Sequence, residues 1–443
     1  MSSENRPAGP GRATGVDWST MRAITQDRYG NAEVLRLAQV PRPSVGDDQV
    51  LVRVHAAGLD RGTEHLMTGK PYAARLGFGI RRPRNPVPGR DVSGTVAEVG
   101  AGVTRYSPGD DVYGVAPGSF AEYAVASPDK LARKPTNLSF AEAAIVPISA
   151  GAALQALTGA GKVQPGQSVL VIGASGGVGS YAVQLARALG ATVTGVCSTA
   201  KLEYVAGLGA DHVIDYTRDD WADGAHRYDL ILDIAGNPPI QRLRRALTAR
   251  GTAVFVGGEH GGAVTGMSRQ LRGALLTPFI GQRLVLLLAR ERATDYEQLA
   301  RMIEAGQLTP HVDRTYSLEE AADAMRLLAS GGIRGKVALT MLPTTMEPGE
   351  SHPNPHAPLS AGDMAMALIP LRVALSSAAS ANRLMAAMVQ HQVPGRLRLR
   401  STATTAVRNH KQTSQSRAAL GLVSSEAGLH RSSAGRVPAG ALL

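Results

Sequence analysis

The chain has a single cysteine, Cys197, in 443 residues. One thiol closes no internal disulfide, so nothing in the sequence points to an oxidising compartment. It also excludes a structural zinc site built on several thiolates. Aromatic residues are few, at 4%. Residues 1–20 lack an apolar core and carry Glu4 and Asp17, which argues against a secretory signal there. Pro7, Gly9, Pro10 and Gly11 break any periodicity, and the segment reads as a disordered leader. The late apolar stretch 364–389 is interrupted by Pro370, Arg372, Asn382 and Arg383, so it reads as a stray surface helix and not as a membrane span. The formal charge of +11 is carried by scattered Lys and Arg residues, not by a basic run interleaved with aromatics. A cytoplasmic protein without a nucleic-acid or membrane partner is expected.

What is present is a globular composition, 44% apolar and rich in glycine, on a chain long enough for more than one domain. Residues 21–143 are strand-like. Residues 50–55 alternate, residues 91–99 repeat the pattern, and the turn Pro108-Gly109-Asp110-Asp111 leads into a short strand at 112–114. Several short strands at close spacing predict a compact β-barrel-like domain.

Beyond residue 143 strands alternate with helices. Strands are predicted at 168–172, 192–196, 212–214, 229–235 and 252–256, and helices from 178 to 189 and from 201 to 208. That alternation implies a parallel sheet with crossover helices, whose ligand sits at the strand C-termini. Amphipathic helices follow at 296–305 and 318–328. Ser317 and Glu320 form a capping-box pattern at the start of the second. A last strand runs from 336 to 341. Residues 343–443 lose this order and read as a largely disordered, low-complexity tail.

The first strand runs into Gly173-Ala174-Ser175-Gly176-Gly177-Val178-Gly179, which opens a helix. Gly176 and Gly177 let backbone approach a pyrophosphate, and the helix N-terminus supplies N–H donors and partial positive charge. Gly179 lets the helix lie close to the strand. A site for a dinucleotide is predicted, using Ser175, Gly176, Gly177 and Val178. NAD sites place an acid after the second strand. Here that position reads Cys197-Ser198-Thr199-Ala200-Lys201, with hydroxyls and a cation suited to a 2′-phosphate, so NADP(H) is favoured.

With these motifs in place, residues 21–341 resemble the medium-chain dehydrogenase/reductase superfamily, in its zinc-independent quinone oxidoreductase-like branch. The matching text includes Ala56-Ala57-Gly58-Leu59-Asp60, Pro88-Gly89-Arg90-Asp91-Val92-Ser93-Gly94, Gly118-Ser119-Phe120-Ala121-Glu122-Tyr123 and Gly335-Lys336-Val337. The resemblance implies an α/β architecture. A GroES-like catalytic domain would span 21–143 and 292–342, and a Rossmann domain 144–291, with a cleft between them. It places Lys201 and Tyr216 on the 2′-phosphate and Lys336 in the cofactor site. A strand near 284–288 would join two subunits as a homodimer.

Zinc-dependent members carry ligands where this chain has Asp60, Arg90-Asp91 and Val146 or Pro147, and these positions supply neither thiolate nor imidazole. No metal is therefore expected. His55 reads as a surface histidine, and His65 stands where zinc enzymes have a proton relay, with plain solvent exposure as the equal alternative. Asp60 is a candidate proton donor, with a structural carboxylate paired to Arg61 or Arg90 as the equal alternative. Tyr72 is a second candidate for binding or protonating substrate. Residues 75–85, with four arginines, read either as a lid or as a solvated loop. The predicted function is metal-free hydride transfer from NADPH to a quinone or α,β-unsaturated carbonyl. An alcohol dehydrogenase or a non-catalytic NADPH-binding protein are the alternatives.

Overall fold

The computed structural model describes residues 19–257 and 268–341. The tail expected over 343–443 lies outside these residues, as does the leader up to residue 18. Thr20, counted with the leader, already belongs to the strand Thr20–Thr25, which pairs antiparallel with Arg36–Pro41.

Two sheets organise the described residues. The first contains Val312–Ser317, Lys336–Thr340, Val50–Gly58, Asp91–Val99, Asp111–Val115 and Leu131–Arg133 in that order, with Tyr123–Ala126 also on Val50–Gly58. Val50, Val52 and Val54 point into its core while Arg53 stays exposed. This is the GroES-like lobe. The chain returns to it late: Lys336–Thr340 pairs antiparallel with Val50–Gly58, placing Leu339 opposite Ala57. The capping box at Ser317 and Glu320 is present. It starts a short 3-10 turn, Leu318–Glu320, before the helix Ala321–Ser330.

The second sheet is parallel throughout, in the order His212–Asp215, Thr192–Cys197, Ser168–Ile172, Tyr228–Asp233, Leu247–Phe255, Arg283–Leu286. Numbered along the chain this is 3-2-1-4-5-6, the Rossmann order, and the order of the strands reverses between the first and the fourth. The predicted strands all appear there, and Arg283–Leu286 forms one of the two edges among the described residues. The helix Gly177–Ala188 lies on this sheet through Tyr181, Ala182, Leu185 and Ala186, all buried. Each of its larger apolar side chains contributes about 1.5–3 kcal/mol by leaving water. The helix Ala293–Glu304 packs between the lobes, and the Tyr113 hydroxyl donates to its Tyr296 carbonyl.

The strand-like reading of residues 21–143 missed the helix Arg61–Thr68. Its ends are marked in the sequence. Asp60 accepts from the Thr63 N–H at 2.6 Å, and Gly69 closes the other end at φ +64°.

A Cβ on Gly179 would lie 2.1 Å from the Gly173 carbonyl oxygen, so only glycine lets this helix approach its strand. Gly179→Ala is expected to cost about 2–3 kcal/mol or more, as overpacked sites do. A fall in the urea midpoint checks it, and an unchanged midpoint would mean that the helix shifts freely.

Candidate functional site

The phosphate loop is tied down on both sides. The Gly173 and Ala174 N–H groups donate to the Val196 carbonyl of the second strand at 3.1 and 3.0 Å. The carbonyl of buried Ser175 accepts from the Gly335 N–H at 3.0 Å, which joins the loop to the returning chain of the other lobe. The two central glycines differ in their surroundings. A Cβ on Gly176 would meet only the Gly173 carbonyl oxygen, at 3.6 Å, so the space above it is open. A Cβ on Gly177 would meet Lys336 Cδ at 3.1 Å and Ser149 Oγ at 3.2 Å. Gly176 therefore leaves room for a pyrophosphate, while Gly177 makes room for a lysine. The first N–H groups of Gly177–Ala188, including that of half-exposed Val178, have no carbonyl one turn earlier to bind and can face an anion.

Lys336, which the resemblance places in the cofactor site, has a buried ammonium that donates to Asp91 Oδ2 at 2.8 Å and to Ser149 Oγ at 3.1 Å. The other Asp91 oxygen accepts from the Ile148 N–H at 2.9 Å. Burial pushes the Asp91 carboxyl up to about 6, the Lys336 charge pulls it back, and the negative charge of Asp60 raises it further. Removing one partner of such a pair typically costs about 3–5 kcal/mol, because a charge is left buried alone.

At the end of the second strand Ser198 is half-exposed, and Ala200 and Thr199 are exposed. The Thr199 hydroxyl is already engaged, donating to Asp215 Oδ2, and Thr217 donates to the other Asp215 oxygen at 2.7 Å. Thr199 is thereby a brace for the turn rather than a free donor. These hydroxyls, Thr199 foremost, hold Asp215 below the ordinary carboxylate range. Lys201 donates to the Gly331 and Ile333 carbonyls at 2.9 and 2.7 Å, and its partial burial lowers the ammonium pKa. Tyr216 stands beside this turn, its N–H donating to the Cys197 carbonyl, and is 58% exposed. Sequence reasoning missed Arg334, which is exposed and donates to the Ala200 carbonyl at 3.0 Å. Only the pairing of the two lobes brings it there. Sequence reasoning also missed buried Asp233, at the end of the fourth strand, paired with Arg269 at 2.6 Å. Burial pushes Asp233 up to about 6.

Arg61 pairs with Glu64 at 2.6 Å, and Arg90 pairs with Glu291. Asp60 Oδ1 caps a helix, while Oδ2 is buried without a hydrogen-bond partner. Tyr72 is 45% exposed, with the Arg75 guanidinium 4.8 Å from its ring centre. His55 is half-buried rather than on the surface, stacked on Phe140 at 4.2 Å and hydrogen-bonded to Thr95 Oγ1 at 3.1 Å. His65 is exposed. Among the described residues no three His, Cys, Asp or Glu side chains converge as a metal site. The side chains at the positions where the resemblance would place zinc ligands have other partners: Asp91 binds Lys336, Arg90 binds Glu291, and one Asp60 oxygen caps a helix.

Comparison with known proteins agrees with this architecture. Residues 46–136 match the alcohol dehydrogenase GroES-like domain, and residues 208–339 match the zinc-binding dehydrogenase model. A 2-methylene-furan-3-one reductase of Solanum lycopersicum is 35% identical over 340 residues, covering 73% of this chain and 80% of that protein. A chloroplastic NADPH-dependent alkenal/one oxidoreductase of Arabidopsis thaliana is 32% identical, covering 73% and 80%. The solved quinone oxidoreductase of Coxiella burnetii is 30% identical, with a TM-score of 0.65, covering 73% of this chain and all of that one.

Two outcomes follow from the site. Gly176→Ala should leave the urea midpoint nearly unchanged, within about 0.5–1 kcal/mol, yet weaken NADPH binding measured by fluorescence titration. Equal binding would mean that no phosphate approaches Gly176. For His55, burial lowers the pKa and Arg53 adds to that shift. The folded chain then binds fewer protons than the unfolded one between the lowered value and the ordinary 6.5, so stability rises with pH across that window and falls in acid. Urea midpoints measured from about pH 5 to 7 should lose part of this slope in His55→Asn. An identical slope in the variant would contradict the assignment.

Proposed function

We propose, for a chain that belongs to the medium-chain dehydrogenase/reductase superfamily in its quinone oxidoreductase-like branch and is an NAD(P)H-dependent oxidoreductase, that NADPH is its reductant and a quinone or α,β-unsaturated carbonyl its hydride acceptor, with no catalytic metal. The observation that carries this reading is the pairing of an open Gly176, at a helix N-terminus, with a turn on which Lys201 and Arg334 converge. Asp215, the carboxylate hydrogen-bonded at that turn, has both oxygens held by Thr199 and Thr217, and Asp313 accepts from the Arg334 N–H at 3.3 Å.

Each residue has a task. Gly176 and the N–H groups from Gly177 and Val178 take the pyrophosphate, with Ser175 fixing the loop. Ser198, Lys201, Tyr216 and Arg334 surround the 2′-phosphate. Lys336 is a positioning residue: it presses against Gly177 while anchored to Asp91 and Ser149. When bound, NADPH supplies a hydride from its nicotinamide ring. The enone or quinone oxygen gains negative charge as hydride arrives, and that charge must be met by a proton or a donor. Asp60, through its unpartnered Oδ2, and Tyr72 are the candidates for that role.

A homodimer is part of the proposal. Arg283–Leu286 leaves an open sheet edge, and Leu271, Leu275, Phe279 and Leu288 are exposed on the residues around it. An open edge beside an apolar surface is a pairing site for a second copy.

The test is kcat/KM for NADPH and NADH against a panel of quinones, enones and aldehydes, repeated with Lys201→Glu and Arg334→Glu. Each substitution should cut the preference for NADPH about tenfold or more, the equivalent of about 1.4 kcal/mol. A retained preference would overturn the cofactor assignment. Turnover of aldehydes alone would favour the alcohol dehydrogenase alternative, and tight NADPH binding with no turnover would favour a non-catalytic role.

A further inference from the structure

Between Glu64 and Asp91 the chain has no acidic residue and six basic ones: Lys70, Arg75, Arg81, Arg82, Arg84 and Arg90. The middle of this segment is held in a defined shape. Arg75 Nε donates to the Gly69 carbonyl at 2.9 Å, and its guanidinium lies 4.3 Å from the ring centre of Tyr29. The Tyr29 hydroxyl in turn donates to the Gly79 carbonyl at 2.6 Å. The Arg84 N–H closes the turn on the Phe78 carbonyl at 2.8 Å. Gly79 sits at φ +120°, and a Cβ there would lie 2.1 Å from the Arg82 carbonyl oxygen.

This frame turns apolar side chains outward. Leu76, Phe78 and Ile80 are 67%, 51% and 69% exposed. Arg81, Arg82 and Arg84 are exposed beside them, and none takes part in an ion pair among the described residues. Apolar residues gathered on one exposed element mark a contact surface. Three apolar side chains flanked by arginines match the boundary of an anionic bilayer. The apolar tips enter between headgroups, while the guanidinium groups remain at the lipid phosphates. A second copy of the same loop is disfavoured as the occupant, because it would bring like charges together.

We propose that the loop formed by residues 76–84 docks this protein on the surface of anionic phospholipid bilayers. Leu76, Phe78 and Ile80 insert, and Arg81, Arg82 and Arg84 engage phosphates. The expectation of no membrane contact is revised for this one surface, and no span is implied. Among the described residues no helix is long and apolar enough to cross a membrane. The proposal does not depend on which molecule accepts the hydride.

The experiment is co-sedimentation of the full chain with vesicles of phosphatidylcholine alone or mixed with phosphatidylglycerol. The wild type should bind the mixed vesicles at least about tenfold more strongly than the neutral ones. Leu76→Ser/Phe78→Ser/Ile80→Ser and Arg81→Glu/Arg82→Glu should each lose about tenfold in binding, with NADPH oxidation of a water-soluble acceptor unchanged. Unchanged turnover establishes that the variants are folded. Failure of the wild type to bind mixed vesicles would overturn the proposal, as would variants that bind as well as the wild type. A raised KM for the soluble acceptor with vesicle binding intact would make the loop a lid. A changed sedimentation coefficient with vesicle binding intact would make it a contact between copies. Either result contradicts bilayer docking.

Discussion

The buried cluster of Lys336, Asp91 and Ser149 is where the two lobes become one site. Lys336 belongs to a strand near the end of the described residues, and Asp91 opens a strand of the same GroES-like sheet. Their charges leave water together, and Ser149 and the Ile148 N–H fill the remaining hydrogen bonds. A charge sealed this way is tolerated only when it is paired and hydrogen-bonded. The stem of the same lysine lies against Gly177, at the N-terminus of the phosphate-loop helix. The adjoining Gly335 donates to Ser175 within that loop. The position of the helix N-terminus, on which an anion site depends, is thus set from the opposite lobe.

That arrangement explains why the glycines of the loop are not interchangeable. Gly173 and Gly179 serve the strand–helix packing, Gly177 serves the lysine, and Gly176 alone faces open space. It also explains why the residues around the second-strand turn are more occupied than a list of cations and hydroxyls would imply. Lys201 holds the Gly331 and Ile333 carbonyls, and Arg334 holds the Ala200 carbonyl, so this turn is stitched to the returning chain from both sides. A phosphate arriving there would meet groups already oriented, with little side-chain entropy left to lose.

Much of this was legible in the sequence, for reasons that can be named. The parallel sheet could be read because its strands are short apolar runs separated by helical periodicity and turn residues, patterns that local physics imposes. The loop at 173–179 could be read because close backbone approach leaves no alternative to glycine. The helix Arg61–Thr68 escaped notice although Asp60 and Gly69 bracket it, because the surrounding segment is rich in strand and turn signals. The pairings at the site were beyond reach for a different reason. Lys336 meets Asp91 across 245 positions of chain, and Arg334 meets Ala200 across 134. Composition and spacing carry no information about such distances. Asp60 lies between these cases: its identity raised the question of a proton donor, and only the structure separates the oxygen that caps a helix from the one left without a partner.

Direct hydride transfer from NADPH to an enone or quinone without a metal ion, as proposed, is checked by following deuterium from NADPH dideuterated at C4 into the product of an enone, by mass spectrometry, on protein whose zinc content has been measured. One deuterium is expected on the β-carbon of the product, at full rate, in protein with far less than one zinc per chain. A rate that rises and falls with bound zinc, or a product without the label, would contradict it.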